Sequence, residues 1–336
     1  MTIERRRRRI LFICGSLNQT TMMHSIGRHL AHHDCHYTPF YADGLLRWLA
    51  ARGLLDFTVM GGAMRQLTEA YLSEQRLPRD ERGLQGPYDL VLTCSDLIVQ
   101  RNIRGKPFVL VQEGMTDPET LSYHVVRTLR LPRYMASTAT TGLSRAYARF
   151  CVASEGYRDL FVSKGAPADR LVVTGIPNFD DCAAYLRNDF PHRGYVLVAT
   201  SDTRETFKRD DRQRFLARVA AIAAGRPLLF KLHPNENVER STREIHARFP
   251  GAPVLSAGNT NHMIANCDVL ITQYSSVVYV GLALGKECHS YFDTALLRRL
   301  APLQNGGRSA ERIARVCEEL LAETAEAAPR PASLAS

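Results

Sequence analysis

The chain has 336 residues, 45% of them hydrophobic and 23% charged, with a formal net charge of +9 and a pI near 9.3. That length exceeds what one core usually serves, and the balance of apolar and charged residues excludes a disordered chain, so two domains of roughly 150 residues each are expected. No apolar run approaches the ~20 residues that span a bilayer, the basic start is too strand-like for a signal peptide, and no nucleic-acid motif accompanies the charge. A cytoplasmic protein with no nucleic-acid partner is therefore expected.

In chain order, Arg5–Arg9 form a basic run that suits anionic lipid headgroups at the inner membrane face or stands as a solvated tail. Ile10–Cys14 reads as a buried strand closed by Gly15 and Ser16 and followed by a helix from about Thr20 to His32. Strand, glycine and helix in that order open a doubly wound domain, and Gly15 either lets a ligand approach closely or makes a plain tight turn. His29 and His33 share a helical face at metal-ligand spacing, but no carboxylate-rich partner set accompanies them and no metal is expected. Tyr37–Tyr41 is the second strand, and residues 45–75 give two helical patterns broken by Gly61-Gly62, with Trp48 expected in the core.

Tyr88–Thr93 and Pro107–Gln112 are strands of central type. Asp96 follows the first and Glu113-Gly114 the second, which puts two carboxylates near the carboxyl edge of the sheet, where a general base belongs. Glu113 stands at the strand end itself, with Gly114 leaving room for a substrate. Met115–Ser144 shows no clear strand and reads as a long, basic, flexible loop. Phe150–Ala153 is a strand, Ser154 opens a helix that Gly165 closes, and Leu171–Thr174 is the next strand, ending in the turn Gly175-Ile176-Pro177-Asn178. Asp180-Asp181 then cap a helix or bond a hydroxyl.

Asn188–Gly194 is turn-rich and reads as a linker. Beyond it, Tyr195–Thr200 is a strand followed by Ser201, Thr203 and Arg204, which suit either a diphosphate or a solvent loop. Strands at Pro227–Leu232, Val254–Ser256, Val269–Thr272 and Cys288–Phe292 alternate with helices from about Glu236 and Ser276 and a helical turn at Asn261–Cys267, which specifies a parallel sheet. Two of its strand ends carry unusual chemistry. Lys231 and then His233-Pro234-Asn235 end one; His233 offers a ring donor to an anion, and Pro234 stiffens its turn. Tyr274-Ser275-Ser276 end another, where two hydroxyls at a helix start either cap backbone N–H groups or hold a phosphate. Arg312–Glu323 is an amphipathic helix and the Ala/Pro-rich tail reads as disordered. The eight cysteines show no zinc or redox spacing and read as reduced, structural thiols.

KLHPN followed by CDVLITQYSSVVYVGLALGK resembles the carboxyl-terminal domain of GT-B glycosyltransferases, nearest the CDP-glycerol glycerophosphotransferases and the capsule polysaccharide transferases. PFVLVQEGM and RLVVTGIPNFDD resemble that branch's Q-x-H-G-like loop and G-x-P-x-x-D segment, so the likeness covers roughly residues 88–293. Glu113 stands where a His is common in the glycerophosphotransferases, and Gln273 where an Asp usually precedes Tyr-Ser-Ser.

The resemblance implies a GT-B fold: two doubly wound α/β domains facing across a cleft, an acceptor-side domain over 1–187, a linker over 188–194 and a donor-binding domain over 195–307. A helix over 308–325 packs back and a disordered tail covers 326–336. It implies transfer of a glycosyl or polyol-phosphate group from a nucleotide-activated donor to a glycan or glycolipid hydroxyl, as in surface polysaccharide synthesis, without metal or cofactor. Glu113 would be the base and His233 would stabilise the departing phosphates, with substrate contacts from Gly15, Asp96, Gly114, Asn178, Ser201, Thr203, Arg204, Lys231, Pro234, Asn235, Tyr274, Ser275 and Ser276. Two alternatives stay open: a UDP-N-acetylglucosamine 2-epimerase-like isomerase, and a nucleotide-binding protein without catalysis.

Overall fold

In a computed structural model that describes residues 7–201, 204–205 and 210–327, the chain divides into two compact units, one of residues up to 180 together with those from 307 on, the other of residues 181–306. The first is built on β1 (Arg9–Cys14), β2 (Asp34–Pro39), β3 (Leu90–Thr93), β4 (Phe108–Val111), β5 (Arg149–Val152) and β6 (Leu171–Val173), all parallel in the order β2-β1-β3-β4-β5-β6. Helices cover both faces, so residues 10–14, 90–92 and 108–111 are almost wholly buried, and this is why those strands read as unbroken apolar runs.

Local chemistry sets the helix limits. Ser16 caps α1 (Leu17–His29) by accepting from the Gln19 N–H, so the helix begins three residues before the expected Thr20. α2 (Gly44–Ala50) and α3 (Gly62–Glu74) flank the Gly61-Gly62 break. Trp48 lies on α2, a helix with no buried residue, and is 48% exposed with the Arg52 guanidinium 3.6 Å from its ring centre, which overturns the expectation of a core tryptophan. Met115–Ser144 has no strand, as expected, but is more than the expected flexible loop. It holds α4 (Leu121–Thr128) and a 3-10 stretch, Arg133–Thr140, which enclose a small core of Tyr123, Val126, Ala136 and Ala139. α5 (Glu155–Lys164) runs as expected from its Ser154 cap to Gly165, whose φ of 105° only glycine adopts easily. The carboxyl-terminal helix Ser309–Ala327 packs on α1, and its Ser309 N–H donates to Asp180 Oδ2 at 2.6 Å.

Of the basic run, Arg5 and Arg6 lie outside the described residues, while Arg7 and Arg9 pair with Asp34 and Arg8 with Asp89. The tail from residue 328 lies outside them as well. Among the described residues no helix is long and apolar enough to cross a membrane.

The second unit is a parallel sheet of β7 (Val196–Ala199), β8 (Leu228–Lys231), β9 (Val254–Leu255), β10 (Val269–Thr272) and β11 (Glu287–His289), in the order β11-β10-β7-β8-β9. α6 (Arg212–Ala223), α7 (Val238–Arg248), α8 (Thr260–Asn266), α9 (Val278–Ala283) and α10 (Thr294–Leu300) complete it around Phe215, Leu216, Val219, Phe230 and Ile245. Asp181 leads into a short 3-10 turn, Cys182–Leu186, in place of the expected helix. Asn188–Gly194 is built into this unit, since Asn266 Nδ2 donates to Asn188 Oδ1 at 2.8 Å and the Gly194 N–H donates to Asn266 O at 3.1 Å. Chain order turns back at β7, where β8 and β9 extend to one side and β10 and β11 to the other. Such a reversal is where the loops after neighbouring parallel strands part and leave a crevice for a ligand.

Candidate functional site

In the second unit, Ser201 follows β7, His233 follows β8, and Tyr274, Ser275 and Ser276 follow β10, so the expected phosphate donors stand on loops over three adjacent strands at the reversal point. His233 Nδ1 accepts from the Asn235 N–H at 3.3 Å, which places the proton of the neutral ring on Nε2 and makes that nitrogen a donor. Pro234 and Asn235 are exposed in the same turn. Ser275 and Ser276 are half-buried. The helix they were expected to cap, α9, starts later and has Val277 at its cap with no side-chain bond; Ser275 Oγ meets the Val277 N–H only at 3.5 Å, and Ser276 Oγ makes no hydrogen bond to the described residues. Tyr274 is exposed and sets its ring edge-on to Tyr291 and Phe292, at 5.3 and 5.1 Å.

A buried polar network holds these loops. Glu236 Oε1 accepts from Arg212 Nη2 at 2.6 Å and from Ser241 Oγ at 3.3 Å, while Oε2 accepts from the His233 N–H at 2.9 Å and from Thr200 Oγ1. Ser201 Oγ donates to Gln273 Oε1 at 2.9 Å, Gln273 Nε2 donates to Asp210 Oδ1 at 2.8 Å, and Asp210 Oδ2 lies 3.4 Å from Arg212 Nε. The strand ends of β10, β7 and β8 are thereby tied to one another through Gln273, Asp210, Arg212 and Glu236. Gln273 is required in this role as an amide, because a carboxylate there would face Asp210.

Two residues expected to touch a diphosphate are used by the fold instead. Lys231 is buried, which lowers its pKa, and its Nζ donates to Leu232 O and Ser256 O at 2.7 and 3.1 Å. Arg204 forms a two-pronged pair with Glu244, 2.9 Å on each arm, an arrangement that raises the arginine pKa and lowers that of the glutamate. Thr203 lies outside the described residues.

In the first unit, Gly15, Glu113, Gly114 and Asn178 come together around the start of α1. Glu113 Oε1 accepts from Ser16 Oγ at 3.2 Å and Asn18 Nδ2 at 3.5 Å, and Oε2 accepts from Gln19 Nε2. A Cβ at Gly15 would stand 1.8 Å from Gln19 Oε1, so glycine there lets the Gln19 amide lie across the turn and reach Glu113. Gln112, buried at the end of β4, accepts from the Ala153 N–H at 2.9 Å and donates to Gly114 O at 2.7 Å, fixing the turn that presents Glu113. At Gly114 a Cβ would meet Phe179 only at 3.6 Å, an ordinary contact. Asn178 Nδ2 lies 2.8 Å from Met22 Sδ of α1.

Asp96 is different: it is 0% exposed, its Oδ1 accepts from the Gly142 N–H and its Oδ2 from the Ser144 N–H and Arg133 Nη1, each at 3.0 Å. Its carboxylate anchors the segment after α4 and has no face for a substrate. The residues that sequence reasoning passed over are Gln19, Gln112, Asp210, Arg212 and Glu236. Only the first had a local signal, as the residue three after a helix-capping serine. Among the described residues, His32, His33 and Glu318 form a group with metal-ligand spacing, at the opposite sheet edge from Glu113, where β2 begins. His33 Nδ1 accepts from the Arg8 N–H at 3.3 Å, so its Nε2 presents a proton to Glu318 Oε1, at 3.1 Å, and offers no lone pair.

No protein-family model matches the sequence, and no curated protein matches it. Solved structures do match in fold. UDP-GlcNAc 2-epimerase from Neisseria meningitidis bound to UDP-GlcNAc superposes with a TM-score of 0.57 at 12% identity, over 93% of this chain and 100% of that one. UDP-N-acetylglucosamine 2-epimerase from Rickettsia bellii gives 0.52 at 10% identity, over 96% and 98%. The wall teichoic acid polymerase TagF soaked with CDPG gives 0.50 at 10% identity, over 95% and 90%. The chain has the two-domain, Rossmann-like GT-B fold. At these identities the likeness fixes the fold and leaves the reaction to the site.

The Ser275→Ala/Ser276→Ala variant is expected to keep its melting temperature, since neither hydroxyl makes a good cap, and to bind nucleoside diphosphates about tenfold more weakly, the scale of a lost bond to a charged group. Calorimetry beside thermal melting checks this, and a lower melting temperature at unchanged affinity would return the pair to a backbone role. Asp96→Ala should destabilise the protein by about 3 kcal/mol in urea unfolding, because two amides and a guanidinium lose their shared acceptor.

Proposed function

We propose that the chain is a transferase that moves a glycosyl or polyol-phosphate group from a nucleotide-activated donor to a hydroxyl of a glycan or glycolipid, of the kind used to build bacterial-type surface polysaccharide. The observation that carries this reading is the array on the second sheet, where His233 after β8 and Ser275 and Ser276 after β10 stand on the loops either side of β7 while a buried network holds the backbone beneath them. Support comes also from the nucleotide-linked ligands of two fold neighbours, UDP-GlcNAc and CDPG. In this reading His233 Nε2–H and the two hydroxyls stabilise the departing phosphates, since donors aimed at developing charge are worth most where little reorganisation is needed.

Glu113 is assigned as the base that takes the acceptor proton. A carboxylate offers about four lone-pair sites, and Ser16, Asn18 and Gln19 occupy three of them. The site left over is aimed by the other three bonds, which orients the base before substrate arrives. A second reading, an epimerase acting on a nucleotide sugar, is favoured by the 0.57 TM-score of the Neisseria meningitidis enzyme. It would use the same phosphate donors and need no acceptor.

Glu113→Gln should lower turnover by about 10²–10⁴-fold and leave donor affinity unchanged. The assay follows nucleotide release from UDP- and CDP-linked donors with and without a glycan acceptor. Release that requires acceptor and joins the donor group to it supports the transferase. An isomerised sugar without acceptor supports the epimerase, and tight nucleotide binding with no turnover of any donor would leave a non-catalytic binding protein.

A further inference from the structure

The first unit contains a groove of about 910 Å³ in which Arg104, Arg127, Arg130, Arg133, Arg145 and Lys164 line the wall and no Asp or Glu does. Arg133 is paired with the fully buried Asp96, and Lys164 with Glu119, an exposed residue that is not among those lining the groove. The other four have only neutral partners among the described residues: Arg104 donates to Val99 O, Arg127 to Tyr123 Oη and Arg145 to Gly165 O, and Arg130 makes no side-chain bond to them. Each guanidinium carries five N–H donors, so most of these remain for a ligand. Two of them also converge. Arg127 Nη2 and Arg145 Nη2 both lie 3.9 Å from the point where a Cβ would stand on Gly165. Arg130 and Arg145 are held at φ values of 53° and 55°, in the left-handed region that side-chain-bearing residues rarely adopt, and such outliers gather where a side chain must be aimed.

Surface arginines usually alternate with carboxylates; four like charges sharing one concavity repel unless an anion joins them. Arginine forks match phosphate oxygens two at a time. Most of the remaining wall is apolar, with Leu46, Leu97, Ile98, Val99, Val126 and Leu131 alongside the cations. A free inorganic anion would leave that surface wet, whereas a ligand with an apolar arm would cover it. We propose that this groove is a second binding site, independent of the transferase reading, for an amphiphile whose phosphate or diphosphate head meets Arg104, Arg127, Arg130 and Arg145 while its apolar arm runs along Leu97–Val99.

The full chain is titrated by calorimetry with octyl phosphate below its micelle concentration, with ethyl phosphate, with inorganic pyrophosphate, and separately with phosphatidylglycerol vesicles. Expected are saturable binding of one octyl phosphate per chain, at least about tenfold tighter than ethyl phosphate because of the added buried methylenes, and a loss of about tenfold or more in Arg127→Gln/Arg130→Gln. Should the double variant melt early, Arg130→Gln alone serves, since that side chain holds nothing in the fold; it should weaken binding severalfold and leave the melting temperature unchanged. Equal affinity in the variants would overturn the site. Pyrophosphate binding as tightly as octyl phosphate would overturn the apolar arm, and binding to vesicles alone would replace the groove with a general attraction to anionic bilayers.

Discussion

Glu236 is a carboxylate buried beneath the loops of the second unit, and the arrangement of the candidate site depends on how its charge is met. An unpaired buried charge costs several kcal/mol, and a pair repays that only when its remaining oxygens are also bonded. Here Arg212 supplies the counter-charge, and Thr200, Ser241 and the His233 N–H fill the other positions. Because one of these partners is the backbone of His233 and another is the residue that follows β7, satisfying the charge also fixes where two strand-end loops lie. Asp210 extends the tie to β10 through Gln273. Above this held backbone stand the His233 ring and the Ser275 and Ser276 hydroxyls.

The first unit follows a related design with one carboxylate left accessible. Asp96 and Glu113 stand after neighbouring parallel strands, yet Asp96 is enclosed by backbone amides and Arg133 while Glu113 meets only side chains at the start of α1. The difference lies in the loop beyond each strand. After β3 the chain continues into a segment that the α4 region folds over, and after β4 it turns at Gly114, held by Gln112. Position at a sheet edge nominates a carboxylate for chemistry, and the packing of the next loop decides whether it can perform any.

Much of the fold was legible because it rests on local patterns. Apolar runs of four to six residues with β-branched side chains marked the buried parallel strands, and Ser154 with Gly165 bounded α5. The positions of His233–Asn235 and Tyr274–Ser276 at the ends of β8 and β10 were legible for the same reason. The features that escaped depended on contacts between residues far apart in sequence. Nothing near Lys231 or Arg204 announces that the first would turn to Ser256 O and the second to Glu244. Trp48 was placed in the core on its size, although α2 buries none of its residues. The strandless stretch after Glu113 hid a helix because its charges masked the Tyr123 and Val126 spacing. Gln273, a departure from the family pattern in sequence, has its reason in Asp210, 63 residues away.

The central claim is that the edge of the second sheet is a nucleoside diphosphate site in which the His233 ring bonds phosphate. Titration of UDP, CDP, GDP and ADP into the wild-type chain and into His233→Ala by calorimetry tests it most directly, with thermal melting to show that the variant is folded. The account predicts that one of these nucleotides binds with a stoichiometry of one and that the variant, folded, binds it about 5- to 150-fold more weakly, the range for a charge-assisted hydrogen bond of about 1 to 3 kcal/mol. Equal affinity in the two proteins, or no binding of any of the four nucleotides to the wild type, would contradict it.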